Sequence, residues 1–347
     1  QVFKASTFAK LAERSAFLSI RTMPLVQSTY KSPFLFRSAH LQTIYPALFR
    51  RVPLITEDRE RITTPDGDFL DLDWHIKKYS KRLVILTHGL EGNSRQPYMQ
   101  GMAKVFSNQG WNVLSWNFRG CSGETNRFLK SYHSGATEEL QTILNHVFKR
   151  EQFTEIALVG FSLGGNVILK YLGDRAKTLD TRIKSAVAIS VPCDLKSSSL
   201  RLEDSQNLIY MKRFMITLRK KIREKMELFP GHLNDENLDR MKTFRQFDGA
   251  YTAPIHGFTS AEDYWTRSSS KPVLKNITIP TLLINAADDP FLPENCYPMA
   301  LARESERFHL EIPFHGGHAG FVEFGNHKTY WSEGRALNFV EETRGKL

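Results

Sequence analysis

One pentapeptide, Gly160-Phe161-Ser162-Leu163-Gly164, constrains this chain more than any other stretch because of what flanks it. Residues 155–160 form a short apolar run of buried-strand type, and residues 165–172 carry the pattern of a helix. A serine on a sharp strand-to-helix turn is forced into an unusual backbone conformation. Glycines on either side leave room for the strand and helix to close against each other. A hydroxyl presented on such an elbow is placed to act as a nucleophile.

A nucleophilic serine of this kind needs a base and an acid, and both follow in the chain. Residues 280–286 are a continuous apolar strand run ending in Asp288-Asp289-Pro290-Phe291-Leu292-Pro293. A carboxylate just past a strand lies at the carboxyl edge of a parallel sheet, where open α/β sheets place their ligands. Residues 307–312 alternate as a further strand and lead into Pro313-Phe314-His315-Gly316-Gly317-His318-Ala319-Gly320. The expected set is Ser162, Asp289 and His318. Asp288 is the alternative acid, since neighbouring carboxylates diverge and only one can orient the imidazole. His315 is read as a loop histidine bonded to backbone. With no completing cluster of Cys, Asp or His, the His315/His318 pair gives no metal set, and no cofactor is expected.

The early strand run 82–88 enters Gly89-Leu90-Glu91-Gly92-Asn93. The backbone N–H groups of Leu90 and Leu163 are the expected oxyanion donors, and His88 is read as shaping their loop. Elsewhere strand and helix signals alternate, which predicts an α/β fold with a mostly parallel sheet and crossover helices. An antiparallel pair over 58–64 and 69–76 opens it, turning at Pro65-Asp66-Gly67. Strands follow at 111–117 and 185–191, and helices near 98–108, 136–149 and 328–342.

Several of these segments together resemble a known family. They are His88-Gly89-Leu90-Glu91-Gly92-Asn93, Asn117-Phe118-Arg119-Gly120-Cys121-Ser122-Gly123, Tyr132-His133-Ser134-Gly135, the extended elbow through Asn166, Asp288-Asp289-Pro290-Phe291, and His315-Gly316-Gly317-His318. Together with Ser38-Ala39-His40-Leu41-Gln42-Thr43-Ile44-Tyr45-Pro46 they resemble the YheT-like branch of the α/β-hydrolases, over roughly residues 33–342. Glu138-Glu139 departs from the Glu-Asp common in relatives. The resemblance implies an α/β-hydrolase fold and a Ser-Asp-His carboxylesterase or lipase-type enzyme. The substrates it implies are short to medium acyl esters or acylglycerol-like lipids. The competing readings are a non-catalytic binding module on the same fold, and an acyltransferase using the same three residues.

The strand signal stops over about 192–271, where this fold carries an inserted helical cap. Within it Met211, Phe214, Met215, Leu218, Ile222 and Met226 share one helical face, opposite a basic one. That helix is read as a lid covering the pocket, with peripheral contact to an anionic membrane as the functional alternative. Phe258, Tyr264 and Trp265 are candidate pocket residues. Arg119 is a candidate for substrate binding, set against a structural role bonding neighbouring carbonyls.

Composition fits this assignment. The 347 residues are divided into an N-terminal extension, 1–32, and a single hydrolase domain, 33–347. No apolar run approaches the roughly 18 residues that span a bilayer. Cys121, Cys193 and Cys296 form no disulfide framework, so a reducing, cytoplasmic setting is expected. The formal net charge of +10 raises nucleic acid as a partner, but the basic residues are scattered and carry no recognition motif. Residues 1–22 hold Lys4, Lys10, Arg14 and Arg21 against one Glu13, and are read as a loosely attached extension or a transit-like segment.

Overall fold

The computed structural model describes residues 25–55, 58–324 and 329–344. Among them nine strands form one sheet in the order β1-β9-β8-β7-β6-β4-β5-β3-β2. The strands are β1 (Leu25–Val26), β2 (Asp58–Thr63), β3 (Phe69–His75), β4 (Arg82–Thr87), β5 (Asn112–Asn117), β6 (Glu155–Phe161), β7 (Ile183–Ile189), β8 (Thr281–Ile284) and β9 (Phe308–Glu311). β2 and β3 pair antiparallel, as does β3 with β5, and every other pairing is parallel.

The central strands are apolar throughout because both sheet faces are covered. On β4, Leu83 and Ile85 face one core, beneath helices α3 (Thr137–Phe148) and α4 (Leu163–Asp174). Val84 and Leu86 face the other, beneath α2 (Pro97–Asn108) and α11 (Trp331–Thr343). The edge strand β2 reads differently. Arg59 and Arg61 lie in register with Asp73 and Asp71 of β3 and grip them through two bonds each, at 2.7–2.9 Å. An edge carrying fixed charge is protected from pairing with another chain.

A helical cap lies between β7 and β8, where the strand signal stops. It comprises α5 (Leu195–Leu202), α6 (Leu208–Leu228), α7 (Phe244–Phe247), α8 (Ala253–His256) and α9 (Ala261–Ser268), with short 3₁₀ and π turns between them. Asn166 of α4 ties the cap down, donating to Ser134 and Ser268 carbonyls and accepting from Ser270 N–H at 2.8–2.9 Å. Helix α10 (Met299–Glu304) precedes β9.

One expectation needs correction at the N-terminus. Residues 25–32 were assigned to an extension, yet Leu25 and Val26 pair with Leu310 and Glu311 as the outermost strand. Tyr30 Oη then donates to Val322 O at 2.7 Å. The boundary at 32/33 therefore falls inside folded structure, while the assignments made for residues 1–22 lie outside the described residues. Helix α1 (Ala39–Phe49), capped by Ser38, was not anticipated as an element, and it proves central to the site.

The elbow depends on close backbone approach. A Cβ on Gly164 would lie 2.4 Å from His88 O and 2.5 Å from Thr87 O, and one on Gly160 would lie 2.7 Å from Gly164 O. Gly164→Ala forces β4 and α4 apart, and overpacking of this kind costs about 1–3 kcal/mol or more. The thermal midpoint is expected to fall by about 1.5–4 °C relative to the unsubstituted chain in a melting experiment.

Candidate active site

Six loops at the carboxyl ends of β4 to β9 converge on one cavity roofed by the cap. Ser162 follows β6 with φ +51° and ψ −120°, and its N–H donates to Ile189 O at 2.8 Å. It immediately precedes α4, so its Oγ sits at the positive end of the helix dipole. His318 Nε2 lies 2.9 Å from Ser162 Oγ. On the other side of the ring, His318 Nδ1 lies 2.9 Å and 3.1 Å from the two oxygens of Asp289. The Asp289 side chain is wholly buried, and its Oδ1 also accepts from Phe291 N–H at 2.9 Å. The Phe291 ring lies 4.2 Å from the imidazole and shields it. Hydroxyl, imidazole and carboxylate in series can move a proton off the serine oxygen and stabilise the resulting imidazolium.

The two local choices resolve by geometry. Asp289 meets His318, whereas Asp288 turns to His315 Nδ1 at 3.3 Å and to Gly317 N–H at 2.9 Å. His315 is thus paired with a carboxylate rather than with backbone, and Asp288 acts as a brace for the histidine loop. Burial raises the Asp288 carboxyl above its ordinary value. Among the described residues, no group of three or more His, Cys, Asp or Glu could hold a metal ion.

The loop of Leu90 is held with equal care. His88 is fully buried; its Nε2 accepts Phe118 N–H at 3.1 Å, so the proton resides on Nδ1, which donates to Gly89 O at 2.7 Å. Burial pushes the His88 pKa down to about 3, which keeps this neutral tautomer in place. Gly92 N–H reaches the same carbonyl at 3.0 Å. Since N–H and C=O of a trans peptide point opposite ways, fixing Gly89 O also fixes the direction of Leu90 N–H. Leu163 opens α4, where N–H groups lack intrahelical acceptors. Leu90 and Leu163 both border the cavity shared by Ser162 and His318.

The pocket residues divide. Trp265 and Tyr264 line the cavity, together with Phe214, Phe244, Phe247, Tyr251 and Phe291. Phe258 is not among its lining residues: it packs behind the wall, against His133, Tyr264 and the Arg267 guanidinium. Arg119 is also removed from the cavity. It is buried in a knot with Glu139 at 2.6 Å, Asp66 at 2.7 Å and Asp68 at 3.3 Å, so its charge is spent on the fold and its partners are carboxylates rather than carbonyls.

Helix α1 is the part that sequence reasoning missed. Thr43 Oγ1 accepts His318 N–H at 2.9 Å. Gln42 is completely buried; its Nε2 lies 2.8–3.0 Å from Tyr30 Oη, Ser32 Oγ and Phe36 O, and its Oε1 accepts from Val322 N–H at 2.8 Å. Ser190, after β7, takes Ala319 N–H at 2.8 Å. The histidine loop is therefore clamped from both sides. The only signal for this was that Ser38–Pro46 segment, quoted as a family motif without a role.

Comparison with known proteins gives the family and the fold. The family model described as "alpha/beta hydrolase fold" matches residues 82–324. "Putative esterase YheT" of Escherichia coli (strain K12) is 36% identical over 88% of this chain and 91% of its own. "Phospholipase ABHD3" of Homo sapiens is 27% identical over 86% of this chain and 75% of its own. Among solved structures, the Pyrococcus furiosus esterase Pf2001 superposes with a TM-score of 0.57 at 17% identity, covering 85% of this chain and 96% of its own, a likeness of fold.

Two outcomes test this description of the site. Gln42→Leu leaves the buried Val322 N–H without its acceptor and removes the amide that links Tyr30, Ser32 and Phe36, and a buried orphan costs about 1–3 kcal/mol; the melting temperature should drop and any esterase activity with it. Asp248 lines the cavity, accepting from Trp265 Nε1 and Thr252 Oγ1, and burial pushes its pKa up to about 6. A carboxyl raised on folding binds more protons folded than unfolded, so it loses stability as pH rises from about 4 through 6. Relative to wild type, Asp248→Asn should gain in melting temperature across that window, and a pH-independent difference would contradict the assignment.

Proposed function

From the premise that the chain belongs to the α/β-hydrolase fold family, on its YheT-like branch, we propose that it is a serine carboxylic-ester hydrolase. The observation that carries this reading is the unbroken series Asp289–His318–Ser162, with 2.9 Å at each step. His318 takes the Ser162 proton as Oγ attacks the ester carbonyl. Asp289 holds Nδ1–H and stabilises the imidazolium. The oxyanion forms against the N–H groups of Leu90 and Leu163, each donor worth about 2.7–4 kcal/mol in the transition state. The alcohol departs with the proton from Nε2, and water then repeats the sequence on the acyl-enzyme, restoring the serine.

The cavity walls support a substrate class. Phe214, Leu218, Phe244, Phe247 and Trp265 give the space under the cap an apolar lining, suited to an acyl chain rather than a charged acid. Short to medium acyl esters and acylglycerol-like lipids are the proposed class. The relatives' names, esterase for one and phospholipase for another, support an ester-cleaving role. The outer face of α6 exposes Ile209 and Ile216 beside Lys212, Arg213 and Lys220. This combination suits a transient rest on an anionic lipid surface. No helix among the described residues is long and apolar enough to cross a membrane.

Hydrolysis of a p-nitrophenyl ester series from acetate to laurate is the test. Wild type should turn over best on chains that fill the apolar cavity. Ser162→Ala should lose on the order of 10⁶ in kcat and Asp289→Asn about 10⁴. Equal rates for wild type and Ser162→Ala would refute the proposal.

A further inference from the structure

Among the charged groups bordering the cavity, Lys221 is a cation to which the mechanism gives no role. Lys221 is carried by cap helix α6 between Leu218 and Ile222, and all three border the same space as Ser162 and His318. A long basic helix at a protein surface ordinarily turns its ammonium groups to water. Lys221 turns inward instead, with its side chain 24% exposed. Its Nζ lies 2.9 Å from Glu91 Oε1 and 3.0 Å from Cys121 Sγ, and 4.9 Å from the Tyr132 ring centre.

Glu91 is the residue after Leu90, and its backbone is strained. At φ +55° it occupies the left-handed region, which side chains other than glycine seldom adopt. Its own polar groups hold it there. Glu91 N–H donates to Tyr132 Oη at 2.9 Å, while Tyr132 Oη–H donates back to Glu91 Oε1 at 2.6 Å. Lys221 closes the figure from the cap. Removal of its charge would leave a carboxylate, 9% exposed, facing a phenol alone, and the strained turn after Leu90 would keep only its bonds at Gly89 O and Glu91 N–H.

We infer that Lys221 is a positioning residue through which the seated cap sets the oxyanion loop, so that full acylating power requires α6 to be docked. The contact runs from cap to core: Lys221 to Glu91, Glu91 to the Leu90–Glu91 turn, and that turn to Leu90, the proposed oxyanion donor, which borders the same cavity as Ser162. Lys225, one turn further on, donates to Asn126 O at 2.8 Å and to Phe128 O, fixing the register in which Lys221 reaches Glu91. Because Glu91 already answers its charge, Lys221 acts on the loop and is not a receptor for an anionic substrate. This inference rests on the hydrolase reading of the site.

The test uses the full chain with p-nitrophenyl butyrate and, in parallel, the rate of labelling by a fluorophosphonate. Lys221→Met and the near-isosteric Glu91→Gln should each lower kcat and the labelling rate by about 10–100-fold, below the full loss of an oxyanion donor. KM should stay within about threefold. The double variant should be no slower than the slower single one, since both remove the same contact. Lys221→Arg should restore most of the rate. Melting curves taken alongside would keep a folding defect separate, and a loss of rate that merely tracks unfolded fraction would overturn the inference. So would multiplicative losses in the double variant, an unchanged labelling rate in both single variants, or a rise in KM at constant kcat. Failure of wild type itself to label would sink the hydrolase reading, whereas normal wild-type labelling with an indifferent Lys221→Met would sink the coupling alone.

Discussion

Ser162 stands at φ +51° and ψ −120°, a conformation that an L-residue keeps only when its surroundings leave no alternative. Those surroundings are backbone: Gly164 lies against the carbonyls of Thr87 and His88, and Gly160 against that of Gly164. The N–H of Ser162 is taken by Ile189 of the adjacent strand. A strand, a turn and a helix are thus locked at contact distance, and the hydroxyl is raised above the sheet's carboxyl edge. The rest of the site is organised around that fixed point.

The imidazole must reach the hydroxyl from the far side of the molecule's last parallel strand, on a loop rich in glycine. Such a loop would be free to wander without anchors. Asp288, Thr43, Gln42 and Ser190 supply them, each through a bond to backbone in residues 317–322. Buried charge is placed with the same economy. Asp289 is spent on His318, and Arg119 is answered by three carboxylates away from the cavity. His88 is kept neutral by burial. What remains facing the substrate space is mostly aromatic and aliphatic, apart from Asp248 and the Lys221–Glu91 pair.

The strands and the positions of Ser162, Asp289 and His318 could be read from sequence because each candidate residue follows an apolar strand at a turn rich in glycine or proline. Local pattern sufficed there, and β4 through β9 lie within a few residues of where periodicity puts them. Rotation and long-range pairing were not legible. Arg119 could not be placed, since Asp66, Asp68 and Glu139 converge on it from two other segments. Phe258 and Trp265 are seven residues apart in one cap, and the way α9 packs turns Trp265 to the cavity and leaves Phe258 behind it. Strand β1 is two residues long, too short for any period to register. Lys221 looked like one more solvated cation in a basic helix until Glu91, 130 positions earlier, was seen beside it.

The central claim is that Ser162 becomes covalently acylated. Intact-protein mass spectrometry, after mixing with a p-nitrophenyl ester and acid quenching within the first turnover, tests it most directly. The account predicts a mass increase of one acyl group, mapped by proteolysis to the peptide carrying Ser162 and missing in Ser162→Ala. Ester hydrolysis with no acylated species under conditions where p-nitrophenol is released in a burst, or an adduct mapped to another residue, would contradict it.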